Sequence, residues 1–190
     1  MSARVTPRCS VDRRKAAEVG EWYLTTRSRP NDARVVAAYQ QLQSETDHCF
    51  TALARADGPN PVRIVFTRCR QPYGCDRDLI DAVRSQRILE ITTSAATAGR
   101  IHPLLGCGLG GGFDRFRAIH DLLGHANPGF GFDLDGEIAA WRVQNRFHGR
   151  QARRALATEL YGVNSARWVL GEAPELKAML FESSFLVADT

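Results

Sequence analysis

Apolar positions change their spacing about halfway along the chain. Val35, Val36, Tyr39, Leu42 and Phe50 recur at helical intervals behind Asn31 or Asp32, either of which suits an N-cap. A helix is predicted there, running to about residue 55 and stopped by Asp57-Gly58-Pro59-Asn60-Pro61. Val62 to Thr67 and Ile88 to Thr93 are short apolar runs that read as strands, with a short helix over 76–84 between them. Beyond residue 113 the pattern turns helical throughout. Helices are expected over 114–124, from Asp133 or Asp135 to 148, over 150–161 and over 174–186. The fold expected is α+β and mainly α-helical, with short strands in the first half and a helical, metal-binding half at the C-terminus. Residues 1–30 are polar and arginine-rich, with Trp22 and Tyr23 as anchors. They read as an N-terminal extension to a single domain over 31–190.

Composition narrows the class. A chain of 190 residues with 44% apolar content can bury its own core without a disulfide or metal staple. No stretch approaches the roughly 20 apolar residues of a membrane span, and Met1 to Lys15 lacks the apolar run of a secretory leader. The five cysteines, at 9, 49, 69, 75 and 107, form no C-x-x-C pair, so reduced thiols and a cytoplasmic location are expected. Cys69 and Cys75 flank a Gly/Pro turn but lack the second pair that a zinc site needs. The net charge of +4 comes from 23 arginines and two lysines. Arginine suits phosphate, which keeps a nucleic-acid partner open through Arg142, Arg146, Arg150, Arg153 and Arg154, although these are only partly co-facial on a helix. Gly106, Gly108 and Gly111 match G-x-G-x-x-G without a strand before them, so the run reads as a mobile connector or hinge rather than a dinucleotide loop.

The chemistry concentrates in His120-Asp121-Leu122-Leu123-Gly124-His125. Five residues turn an ideal helix by about 140°, so the two histidines converge only if the last turn is irregular. Asp121 and His125, four apart, share a face. Two carboxylates lie on apolar helix faces: Glu159 with Ala152, Ala155 and Leu156, and Glu137 with Leu134, Ala140 and Trp141. A carboxylate facing a core needs an arginine, a histidine or a metal; Arg117, Arg142 and Arg154 are the arginine candidates. Two histidines with one carboxylate suit non-haem iron and leave coordination positions open. Two histidines with two carboxylates suit a pair of metals in a helical bundle.

The six residues 120–125 differ only at Asp121 from the His-Glu-Leu-Leu-Gly-His helix end of the aromatic amino acid hydroxylases. Ala157-Thr158-Glu159-Leu160-Tyr161-Gly162 is similar to the segment carrying that family's third iron ligand. The resemblance implies His120, His125 and Glu159 as ligands. It covers about residues 113–163, and the family's pterin-binding and amino-acid-binding segments have no counterpart here. The chain also resembles, over more of its length, a domain of actinobacterial phage and polyvalent proteins, through Phe116 to Ala126, Gly136 to Trp141 and Ala155 to Ser165. That resemblance implies a shared polar site and brings in Glu137, Asn164 and Ser165.

The expected function is a non-haem iron(II)-dependent oxygenase of hydroxylase type. Its partners would be O2 and a small-molecule substrate, with no membrane partner. His120, His125 and Glu159 would hold the metal. Asp121 or Glu137 would orient a ligand histidine through its second nitrogen. Arg117, Asn164, Ser165 and Trp141 would contact substrate or support the ligands, and Phe113, Phe116, Phe130, Phe132 and Trp141 would line the pocket. The alternatives are a zinc or manganese hydrolase on the same residues, with Asp121 or Glu137 as base, and a nucleic-acid-associated binding module.

Overall fold

The Asp12 side chain accepts the backbone N–H groups of Arg14 and Lys15 and so starts α1 (Arg13–Thr25). At the other end Lys177 Nζ reaches the carbonyls of Tyr23, Leu24 and Thr26 at 2.8–2.9 Å, where a cation is favoured. The structure, a computed structural model, describes residues 10–54, 61–94 and 101–186. Helix α1 buries Ala16, Val19, Gly20 and Tyr23, so residues 13–25 contribute side chains to the core. Gly20 is required by this packing: a Cβ there would lie 2.7 Å from the carbonyl oxygen of Ser165.

Helix α2 (Ala33–Ala54) buries Val35, Ala38, Tyr39, Leu42 and Thr46, one stripe at helical spacing. The stop expected over Asp57 to Pro61 lies almost wholly outside the described residues. Strands β1 (Arg63–Thr67) and β2 (Ile88–Thr92) pair in parallel, Arg63 opposite Ile88 and Thr67 opposite Thr92. Helix α3 (Asp76–Asp81), extended by a π-helical turn over Ala82–Gln86, makes the crossover that parallel strands need.

Helix α4 (Gly112–Ile119) widens into a π-helical segment, His120–Ala126. Helix α5 (Leu134–Gln144) follows, capped by Asp133. Helix α6 (Arg150–Ala157) passes through a third π segment, Thr158–Gly162, into α7 (Val163–Leu170), which ends at the left-handed Gly171 (φ 74°). The protein is therefore α+β and mainly helical. Among the described residues no helix is long and apolar enough to cross a membrane.

Two local expectations fail. Residues 174–182 form no regular secondary structure, and only α8 (Ser183–Leu186) is helical. The backbone of this segment is satisfied by other elements: Arg29 N–H donates to Ala178 O, Phe181 N–H to Arg154 O, and the Thr158 hydroxyl to Met179 O. The glycine run is also not a free hinge. Gly111 N–H donates to Gly108 O and Phe113 N–H to Gly106 O. Buried Asp114 then accepts from Gly110 N–H, the Thr93 hydroxyl and Ser94 N–H, which ties the loop to the end of β2.

Among the described residues two main apolar cores result, with a small third cluster of Tyr23, Ala166 and Met179. The larger joins α1, α2, α5, α6 and the irregular C-terminal segment through Val19, Tyr39, Leu42, Trp141, Leu156 and Phe181. The smaller gathers Leu79, Val83, Leu89 and Ile91 from the strand unit with Ala118, Leu122 and Ala126. Those last three residues form the back of the helix that carries His120 and His125.

Candidate metal centre

Asn127 N–H donates to Leu122 O at 3.0 Å, a bond spanning five residues. Such a turn is wider than an α-helical one, so residues five apart stack instead of diverging. His120 and His125 thereby meet, Nε2 to Nε2 at 3.1 Å, with their rings at 86°. Arg84 holds the end of the turn through Ala126 O and Asn127 O.

Helix α5 completes the arrangement from the opposite side. Glu137 Oε2 lies 3.2 Å from His120 Nε2 and 3.6 Å from His125 Nε2. Gln144, seven residues later on the same face, places Oε1 3.1 Å from His120 Nδ1. The Phe130 carbonyl lies 3.2 Å from His125 Nδ1. Asn164 of α7 donates to Glu137 Oε2 at 2.9 Å. The contact between the two helices depends on Gly124, where a Cβ would sit 2.8 Å from Ala140 Cβ and 3.2 Å from His120 Nδ1.

Both imidazoles turn Nδ1 towards an oxygen acceptor, which places the proton on Nδ1 and the lone pair of each neutral ring on Nε2. Two lone pairs and a carboxylate oxygen then converge on one point, which requires a proton or a cation. Ligand atoms about 2.1 Å from an ion are separated by about 3.0 Å at right angles and about 3.4 Å in a tetrahedron. The observed edges of 3.1, 3.2 and 3.6 Å fit such an ion. Burial pushes the Glu137 carboxyl up, but hydrogen bonds and charge from His120 and His125 outweigh it and hold it down at about 2. Burial pushes His125 down, and its bond to Glu137 overcomes this and raises it. In the absence of an ion, the raised His125 imidazole supplies a proton towards Glu137, so a metal would displace it.

The centre opens into a cleft of about 490 Å³. Phe113, Phe116, Phe132, Leu160, Val163 and Leu176 give it apolar walls, and Arg70, Arg117 and Arg167 give it charge. Asp121 also lines it, with a carboxylate oxygen and a nitrogen of each imidazole all within 4.8 Å of one another. Burial raises the Asp121 carboxyl, against the opposing charges of His120, His125 and Arg117.

Glu137, not Glu159, faces the histidine pair. Glu159 lines the same cleft, but its Oε1 accepts from the Tyr39 hydroxyl and from His102 Nε2, the latter at 3.0 Å. Leu104 N–H and Leu105 N–H donate to His102 Nδ1, which fixes the proton on Nε2. The second nitrogens of His120 and His125 are oriented by Gln144 and the Phe130 carbonyl, in place of the expected Asp121 or Glu137. Arg117 lines the cleft while donating to Thr92 O at 2.6 Å. Ser165 and Trp141 do not line the cleft: Ser165 is buried beneath α1, and Trp141 packs on Tyr161 in the larger core. Phe130 contributes only its carbonyl. The described cysteines are unpaired, and Cys69 and Cys75 are exposed.

Sequence reasoning missed Gln144, His102 and Tyr39. The seven-residue spacing from Glu137 is a signal for Gln144, whereas nothing local marks the other two. Comparison with family models, curated proteins and solved structures finds no match for this chain.

Proposed function

We propose that the protein is a mononuclear metal enzyme of the non-haem iron(II) oxygenase type, acting on a small molecule in the cleft. The supporting observation is the convergence of His120 Nε2, His125 Nε2 and Glu137 Oε2 while both Nδ1 atoms are bonded to oxygen acceptors. Two neutral imidazoles and one carboxylate are the ligand set that leaves an iron(II) face open. Iron(II) bound there supplies O2 activation, with electrons from the substrate or a co-substrate. Gln144 and the Phe130 carbonyl keep both rings aimed inward, and Asn164 holds the Glu137 carboxylate. The phenylalanine and aliphatic walls give a substrate an apolar surface beside the reacting face. Glu159, with both its bonds on Oε1, presents its other oxygen as an acceptor for a substrate group.

One observation favours the hydrolytic alternative: Asp121 places a second carboxyl beside the imidazoles, positioned to take a proton from water on zinc or manganese.

Elemental mass spectrometry of protein purified without chelator tests the assignment. About one iron per chain is expected in the wild type and in Glu159→Ala, and almost none in His120→Ala/His125→Ala or Glu137→Ala. Zinc in place of iron selects the hydrolase. No metal, even after anaerobic loading with iron(II), overturns the metal centre.

A further inference from the structure

A second cavity, of about 500 Å³, shares no lining residue with the metal cleft. Its walls come from the end of α1 and the loop after it, the start of α2, helix α6 and the irregular C-terminal segment. Four arginines line it: Arg27, Arg29, Arg34 and Arg154. None of them makes an ion pair among the described residues. Arg154 is anchored by its Nε, which donates to Phe181 O at 2.9 Å, and its terminal nitrogens remain for a ligand. The only acids in the lining are Asp32 and Glu182, so two positive charges are in excess. Asp32 is already engaged through Oδ1 with the backbone N–H of Arg34.

Four guanidinium groups around one cavity repel one another until an anion enters. A phosphate monoester carries about −1.5 to −2 at pH 7, which matches the excess, and the planar guanidinium fork matches its oxygens. The remaining wall is apolar and partly planar, made by Trp22, Val35, Met179 and Leu180. The edge of Trp22 is fixed by Phe181 and Phe185, at centroid distances of 5.1 and 5.9 Å. An indole beside an arginine cluster accepts the face of a nucleobase. The volume falls within the range of about 300 to 1,000 Å³ of small-ligand pockets. The arginines line one cavity of about 500 Å³, a volume that suits one nucleotide better than a long strand.

We propose that this cavity binds the terminal phosphate monoester of a nucleotide, either free or at the 5′ end of a strand. Isothermal titration of the full chain with AMP, adenosine, and a single-stranded DNA hexamer with or without a 5′-phosphate is the test. AMP or the phosphorylated hexamer binds, and neither adenosine nor the unphosphorylated hexamer does. The tighter of the two binders identifies the source. Binding weakens as salt rises. Arg27→Gln/Arg29→Gln/Arg34→Gln lowers affinity at least about tenfold, and the single charge reversal Arg34→Glu acts in the same direction. These residues are exposed, so the melting temperature and metal content of the variants stay at the wild-type values. Adenosine binding as well as AMP, unchanged affinity in the folded triple variant, or no binding of any probe at millimolar concentration overturns the proposal.

Discussion

Tyr39 and His102 both direct their protons at one oxygen of Glu159. Burial and the Glu159 charge hold the Tyr39 hydroxyl far above its ordinary value, so it remains a donor at every working pH. Removing that donor leaves a buried carboxylate with one partner. Tyr39→Phe should therefore lower stability by about 1–3 kcal/mol in urea unfolding and leave metal content intact; loss of metal instead would make Glu159 a ligand. The sequence makes the facing of Glu159 legible, because apolar neighbours at helical spacing predict a carboxylate in need of a partner. The partner itself is not legible: His102 lies 57 residues away and Tyr39 lies 120 residues away. Glu137 was equally marked by its apolar face, and only the packing of α5 against the histidine segment separates the two roles.

Helix positions follow from apolar spacing, and most helices and both strands lie close to where that spacing puts them. Helix widening does not follow from it, since a period of 3.6 already assumes the regular turn. The five-residue separation of His120 and His125 argues against a shared face on a regular helix, and the π turn removes that obstacle. The turn meets α5 through Gly124 and Ala140. Gly124→Ala inserts a methyl group 2.8 Å from Ala140 Cβ and beside His120 Nδ1, forcing α5 outward. The expected result is destabilisation of about 1–3 kcal/mol, read in denaturant unfolding, together with weaker metal binding in a titration. Unchanged values for both would mean that α5 does not press on the turn. The irregular segment over 174–182 was illegible for a different reason. Its backbone partners are Arg29, Arg154 and Thr158, and local propensity carries no information about them.

At the scale of the whole molecule, the α+β class was readable from the change of apolar period. The inclusion of α1 in the core was not, because its packing partner α7 comes near the other end of the chain. A similar long-range tie joins α2 to the corner between α5 and α6. Buried His148 donates from Nδ1 to Glu45 at 3.0 Å, and its Nε2 is buried without a partner. Burial lowers His148 below its ordinary 6.5, against the opposing pull of Glu45. The unfolded chain therefore binds a proton more readily than the folded one in the window below 6.5, and stability is lost as pH falls through it. Measured by urea midpoint between about pH 8 and 5, the advantage of wild type over His148→Asn should shrink as the pH drops. A constant difference would mean that His148 is not held neutral.

A helix that has taken up one extra residue can also release it. Without one of the two leucines between His120 and His125, the widened turn closes to a regular one. The histidines, now four apart, would still share a face. The same histidine pair therefore has two spellings, His-x4-His on a widened turn and His-x3-His on a regular helix. A motif written with a single fixed gap recognises only one of them.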